Sequence, residues 1–262
     1  MSTKPLHLSE EYASQFRDVG VANAYRTRPP YPPEVFEILG QLLPTEDLPI
    51  LDLGCGTGEI AIPMSRRVTH VDALDASIAM LRVARGFSAE ASNIRWINAT
   101  AEAYTYEKKY GLVVAAASFH WMSWDVVLRK LAAALAPSGV FAIVDISAFQ
   151  DAPWRVELLE LIPQYSTNRA YQRINLVDEL LLRGLVKVLG RRRTVPVSFR
   201  QDLGAYVESF HARNGFSRER MGRIAAARFD SAVRSIVAPH TIEGIVQTEV
   251  QADVVWGVPT AA

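Results

Sequence analysis

Ile50-Leu51-Asp52-Leu53-Gly54-Cys55-Gly56-Thr57-Gly58-Glu59 reads as an apolar strand that runs into a glycine-rich turn and then into a helix. Glycines at 54, 56 and 58 remove the Cβ atoms that would hold a ligand off the backbone, and they permit the positive φ angles such a turn needs. The pattern predicts a nucleotide-type pocket. A dinucleotide site prefers Gly-x-Gly-x-x-Gly, and its third glycine position is Glu59 here. Asp52 and Glu59 flank the turn, so a diphosphate placed there meets like charge at short range. A cation suits the turn better. S-adenosylmethionine carries a sulfonium and an α-ammonium beside an adenosine, and it gains from the same carboxylates.

Downstream, Val68-Thr69-His70-Val71-Asp72-Ala73-Leu74-Asp75 reads as a second strand ending in an acid, at the distance expected of a ribose-binding carboxylate. Asp75 is the expected ribose ligand. The alternative is that it caps the helix starting near Ser77.

The runs LDLGCGTGEIA, LDAS with IAML, ATAEAY, and LVVAAAS followed by FHWM are in an order and spacing that resembles the class I S-adenosylmethionine-dependent methyltransferases over residues 48 to 147. The lead-in Tyr25-Arg26-Thr27-Arg28-Pro29-Pro30-Tyr31-Pro32 is similar to that of a small-molecule subgroup that includes trans-aconitate-type carboxyl methyltransferases. The resemblance implies an α/β fold with a doubly wound, mostly parallel seven-stranded Rossmann-like sheet and helical lid insertions. It also implies S-adenosyl-L-methionine as cofactor, held by Asp52, Gly54, Cys55, Gly56, Gly58, Asp75, Ala76, Met80 and Ser118. In this family the loop after strand 3 reads adenine through a side-chain carboxyl or amide and a backbone N–H. Here that loop is Ala99-Thr100-Ala101-Glu102, with Thr100 in place of the usual acid. Adenine recognition then falls to the Thr100 hydroxyl or the Ala101 amide, and Glu102 either joins them or begins a helix.

Of 262 residues 49% are apolar, enough for one large domain with a lid, and the formal net charge of zero removes the basic footprint of a nucleic-acid binder. One methyltransferase domain over 1–262 is expected: a helical cover to about 45, the cofactor core from about 46 to 147, then lid helices, substrate region and closing antiparallel strands. The single cysteine excludes an intramolecular disulfide, and Cys55 reads as packing within the turn. Met1-Ser2-Thr3-Lys4-Pro5 lacks a secretory apolar segment, and no apolar run is long enough for a membrane span. These features point to a cytoplasmic protein with a small-molecule substrate, no membrane or nucleic-acid partner, no metal and an open oligomeric state.

The pattern predicts an amphipathic helix over 9–25, strands at 49–53, 68–75, 94–98, 112–117 and 140–146, and helices starting near Ser77 and over 125–136. Ile78, Leu81 and Ala84 form the expected buried stripe of the helix after Ser77. Strands alternating with helices imply a parallel, doubly wound sheet with ligands beyond the strands' carboxyl ends. Past 150 the reading is helices over 153–164 and 177–189, a strand over 194–199, helices within 203–236 and a last strand over 245–257. Arg191-Arg192-Arg193 reads as a solvated surface between helix and strand, or as a grip for an anion.

Methyl transfer from a sulfonium is a displacement, so alignment and exclusion of water come first, and a base is required only for an acceptor that carries a proton. His120, after strand 4, is the candidate catalytic residue, as proton acceptor or as hydrogen-bonded wall. Ser118-Phe119-His120-Trp121 differs from the Asn-Pro-Pro-Tyr pattern used for planar amines, which favours an oxygen acceptor, carboxylate or hydroxyl, over a nucleobase or glutamine. Trp121, Tyr165 and Tyr171 are candidate substrate contacts, or core. Tyr25 and Arg28 are candidate cofactor contacts through a π face and a guanidinium fork, or ordinary packing. His211 and Arg213 are candidate substrate contacts, or the end of a helix before Gly215. The rivals are an N- or C-methyltransferase, an NAD-dependent oxidoreductase and a non-catalytic adenosyl-ligand binding module.

Overall fold

All four residues of β1 (Ile50–Leu53) are buried, because β1 lies inside a parallel sheet with neighbours on both sides. In this computed structural model, which describes residues 4–148 and 151–260, the other strands are β2 (Val71–Asp75), β3 (Ile94–Asn98), β4 (Tyr110–Ala116), β5 (Leu135–Ser147), β6 (Val186–Arg193), β7 (Val197–Asp202) and β8 (Ile245–Pro259). Residues 1–3, part of the segment read for a leader, lie outside the described residues. The sheet order is β3-β2-β1-β4-β5-β8-β6, with β7 also pairing β8. The expected seven strands form the continuous path and β7 is an eighth. β1 through β5 run parallel, and β6 and β7 are antiparallel to β8.

The chain packs as two compact units. One comprises residues 31–146, 173–195 and 252–262. Its core sets Ile50, Leu112, Val114 and Ala142 of the strands against Val35, Ile38 and Leu39 of the helix Pro33–Gln41. β4 is an apolar run without alternation, as a strand covered on both faces requires. The helix after β2, Ile78–Gly86, buries Ala79, Met80, Leu81 and Ala84, but leaves Ile78 44% exposed, so Ile78 belongs to its first, outward-facing turn.

The other unit comprises residues 1–30, 147–172 and 196–251. Its core is aromatic: Trp154, Tyr206, Phe210, Phe216 and Phe229 pack with Leu158, Val207, Val233 and Val237, and the Trp154 indole donates to the Tyr206 hydroxyl at 2.8 Å.

Four expectations are corrected. The helix expected over 177–189 is Leu176–Leu182, stopped at Gly184 with φ 64°, and Val186–Arg193 is a strand. Arg191-Arg192-Arg193 therefore lies inside β6, where Arg193 forks onto Asp253 at 2.8 and 2.9 Å and Arg192 donates to Gln41. The strand expected over 194–199 is β7, three residues later. The helix expected over 9–25 is broken into short turns, with Asp18 extended between them. The Asp18 carboxylate accepts from Ser217 at 2.7 Å and Arg220 at 3.0 Å, and these bonds hold it out of the helix.

Candidate active site

The carboxyl end of β1 enters a turn closed by its own backbone. The Gly54 and Cys55 N–H groups donate to the Leu74 carbonyl at 2.8 and 2.9 Å, and Gly58 N–H to the Cys55 carbonyl at 2.9 Å. Gly54 has φ 74°, and a Cβ there would lie 2.6 Å from the Ser118 Cβ, so no other residue fits without moving the loop after β4. Ser118 joins the two strand ends from the other side, its hydroxyl donating to the Leu53 carbonyl at 2.6 Å.

Asp75, at the end of β2, uses both carboxylate oxygens. Oδ2 accepts from Gly56 N–H at 2.8 Å and Oδ1 from Ser77 N–H at 2.7 Å. The helix cap is Ser77, whose Oγ accepts from Met80 N–H at 3.2 Å. Ala76 lies between these two residues, and Met80 is buried in the first turn of the helix. Asn98 on β3 fixes the Asp75 carbonyl at 3.0 Å.

Asp52 differs from the charged flank expected of it. It is 1% exposed, its Oδ2 accepts from Ala61 N–H at 3.0 Å, and its Oδ1 has no partner. Burial pushes its pKa up to about 8, opposed by the Ala61 bond and assisted by the charges of Glu59 and Asp75. At neutral pH Asp52 is mostly protonated, which leaves Glu59 and Asp75 as the acidic pair beside the turn. Glu59 accepts from the Thr57 hydroxyl at 2.5 Å. The Cys55 thiol is pushed up by burial and by the same three acids, so it stays neutral and packs.

In the loop after β3, Thr100 Oγ1 accepts from Ala103 N–H at 3.2 Å, and the Ala101 carbonyl accepts from the Tyr106 hydroxyl at 2.9 Å. Glu102 Oε1 accepts from Ser123 N–H at 2.6 Å, in front of the helix Trp124–Ala134.

Ala117, the residue after β4, is a non-glycine residue with φ 49°, in the left-handed region. Such strain persists only where the surroundings hold it. A single turn, Phe119–Trp121, follows and carries His120, half-buried with its ring centroid 4.7 Å from that of Trp121. The Trp124 indole braces the turn by donating to the Phe119 carbonyl at 3.1 Å.

The remaining candidates belong to the unit with the aromatic core. Arg28 donates to the Tyr25 hydroxyl at 2.9 Å and lies over its ring at 4.9 Å. Arg213 lies over the Phe210 ring at 4.3 Å, and burial, then the charge of Arg28, lower its pKa to about 10. His211 is 1% exposed, with Nδ1 2.7 Å from the Phe216 carbonyl and Nε2 2.7 Å from Asp230, so both ring nitrogens are engaged within the fold. Tyr165 packs on Phe229, and Tyr171 is exposed with its edge to His7. Among the described residues no cluster of His, Cys, Asp and Glu is arranged to hold a metal ion.

Residues 50–139 match the family described as Methyltransferase domain. They form a class I S-adenosylmethionine-dependent methyltransferase domain. Over 137 residues the chain is 30% identical to an uncharacterized methyltransferase of Mycobacterium tuberculosis, covering 52% of this chain and 54% of that one. The chain thus spans about half the length of the curated relatives it matches. Its fold is similar to a candidate type II methyltransferase of Anaeromyxobacter dehalogenans, with TM-score 0.64 and 21% identity over 88% of this chain and 96% of that one. It is also similar to an S-adenosylmethionine-dependent methyltransferase of Geobacter sulfurreducens in complex with S-adenosyl-L-homocysteine, with TM-score 0.52 and 18% identity over 95% and 98%.

The turn of this methyltransferase domain fits the family's cofactor on one structural ground: Asp52 Oδ1, near the carboxyl end of β1, is a buried polar atom without a partner. Ser77, read from sequence only as a helix start, shapes the same end of the sheet with Asn98 and Ala117, which were not singled out. Asp-Ala-Ser after a strand contains the cap signal for Ser77, whereas the strain at Ala117 has no composition signature.

Proposed function

We propose that this chain transfers a methyl group from S-adenosylmethionine to the carboxylate oxygen of a small organic acid. The acid rests on Arg213, half-buried with its guanidinium over the Phe210 ring at 4.3 Å, in the unit that also holds Arg28. Guanidinium forks match a carboxylate in two parallel hydrogen bonds.

The cofactor, when bound, supplies a sulfonium-activated methyl group. The Asp75 carboxylate, already oriented by Gly56 and Ser77, receives the ribose hydroxyls. Glu59 and Asp75 favour the cationic end, and the neutral Asp52 carboxyl offers its free oxygen. Thr100 accepts a bond from its own loop and so retains its hydroxyl proton for an adenine nitrogen. Ala101 contributes its backbone amide in the same loop.

A carboxylate acceptor is already deprotonated at neutral pH, so no base is needed, and rate comes from orientation and exclusion of water. His120 and Trp121, on the braced turn after β4, form an aromatic wall. Arg28, Arg213 and Tyr25 are the proposed donors for the acceptor's charge, and Tyr165, Tyr171 and His211 belong to the same unit as those three.

Incubation with methyl-labelled S-adenosylmethionine and a panel of small carboxylic acids, phenols and amines tests this reading. Base-labile labelled esters are the expected product. Label appearing only in ethers or methylamines contradicts it.

A further inference from the structure

An open pocket of about 690 Å³ lies within the unit that carries the aromatic core, against the start of the helix Arg223–Val237. Arg169, Arg223 and Arg228 line it, with Tyr165, Met221 and Ile224 as an apolar wall. No acidic side chain lines it. None of the three guanidiniums is within 4.0 Å of a carboxylate among the described residues, whereas Arg17, Arg183, Arg193, Arg218 and Arg220 each pair with an acid. The Arg169 guanidinium is instead tied to the Pro163 carbonyl at 2.9 Å, which fixes its direction.

In a chain whose formal charge is zero, three uncompensated guanidiniums around one hollow are a local excess of positive charge that an anion relieves. The backbone adds to it. Gly222, the residue before the helix, provides no side-chain cap, so the N–H groups of the first turn are left for another acceptor. Ile224 is 68% exposed in the same wall, which supplies apolar area for the uncharged part of a ligand.

We propose that this pocket binds an organic phosphate monoester, its dianionic oxygens held by Arg169, Arg223 and Arg228 and its apolar body against Tyr165, Met221 and Ile224. Guanidinium forks match phosphate oxygens, and a dianion balances three cations better than a single carboxylate does. The assignment does not rest on methyl transfer: its three arginines are none of the residues proposed for cofactor or acceptor, and only Tyr165 is shared.

Calorimetric titration of the full chain at low salt with phenyl phosphate, inorganic phosphate and benzoate tests it. The expected order is phenyl phosphate tightest, then inorganic phosphate, then benzoate. In the double variant Arg223→Gln/Arg228→Gln, and separately in Ile224→Asp, which places a carboxylate at an exposed position, phenyl phosphate affinity falls by about tenfold or more. Circular dichroism unchanged from the parent shows that both variants fold. No binding by the parent chain, equal affinity for the three probes, or unchanged affinity in both folded variants would overturn the proposal.

Discussion

The Asp75 carboxylate holds the Gly56 N–H at 2.8 Å, so the acid at the end of the second strand also fixes the middle of the glycine turn after the first. Its second oxygen is held by Ser77 N–H at 2.7 Å. One carboxylate thus shapes the turn and presents its remaining lone pairs in a fixed plane. Asp75→Asn keeps the shape but turns one acceptor into a donor facing a backbone N–H. S-adenosylhomocysteine affinity is expected to drop by about 10- to 100-fold, and stability by about 1–2 kcal/mol. Calorimetry and urea denaturation read the two effects.

Gly54→Ala combines a left-handed backbone with a Cβ 2.6 Å from Ser118 Cβ. A loss of about 1–3 kcal/mol is expected in urea denaturation. The companion change Ser118→Gly relieves the contact but not the φ strain, and restores part of the loss.

Asp52 gives a pH signature. Its folded pKa of about 8 lies above the ordinary 3.8, so between those values the folded chain binds more protons than the unfolded one, and its contribution to stability falls as pH rises. Asp52→Asn removes this slope. The variant's stability relative to the parent is expected to rise from pH 5 to pH 8, by up to about 1.4 kcal/mol per pH unit, and to level off above. Denaturation midpoints across that range check it.

Arg213 has the opposite kind of burden. A base whose folded pKa is lowered to about 10 destabilises the folded chain at every pH below that value. Arg213→Met is therefore expected to raise the thermal midpoint while raising KM for the acid substrate, with kcat less affected. A lowered midpoint together with an unchanged KM contradicts both roles.

His120→Ala is expected to leave the pH dependence of turnover unchanged and to lower kcat by less than about tenfold, since an ionised acceptor has no proton to give up. Loss of a basic limb in the pH–rate profile contradicts the carboxylate reading.

The parallel core was legible because its signals are local. Each strand end coincides with a turn residue or an acid; Ile50–Leu53 and Ile94–Asn98 lie at or within a residue of where the pattern puts them, and Val71–Asp75 ends where expected but begins three residues later. The second half was less so. Leu-rich sequence continues from Leu176–Leu182 into β6 with only Arg183, Gly184 and Leu185 between them, and the pairing that makes Val186–Arg193 a strand comes from Val254, Val255 and Asp253, some 60 residues away. Asp52 was read as charged because sequence shows its identity but not its burial. His211 looked available because neither the Phe216 carbonyl nor Asp230 is visible as its partner until the helices pack.

The central claim is that the glycine turn, bracketed by Glu59 and Asp75, holds a cationic adenosyl compound. Side-by-side calorimetric titration of the full chain with S-adenosylhomocysteine and with NAD⁺ measures it most directly. Micromolar binding of S-adenosylhomocysteine, weakened in Asp75→Asn, with no heat from NAD⁺, is the expected result. Binding of NAD⁺ with none of S-adenosylhomocysteine would contradict it.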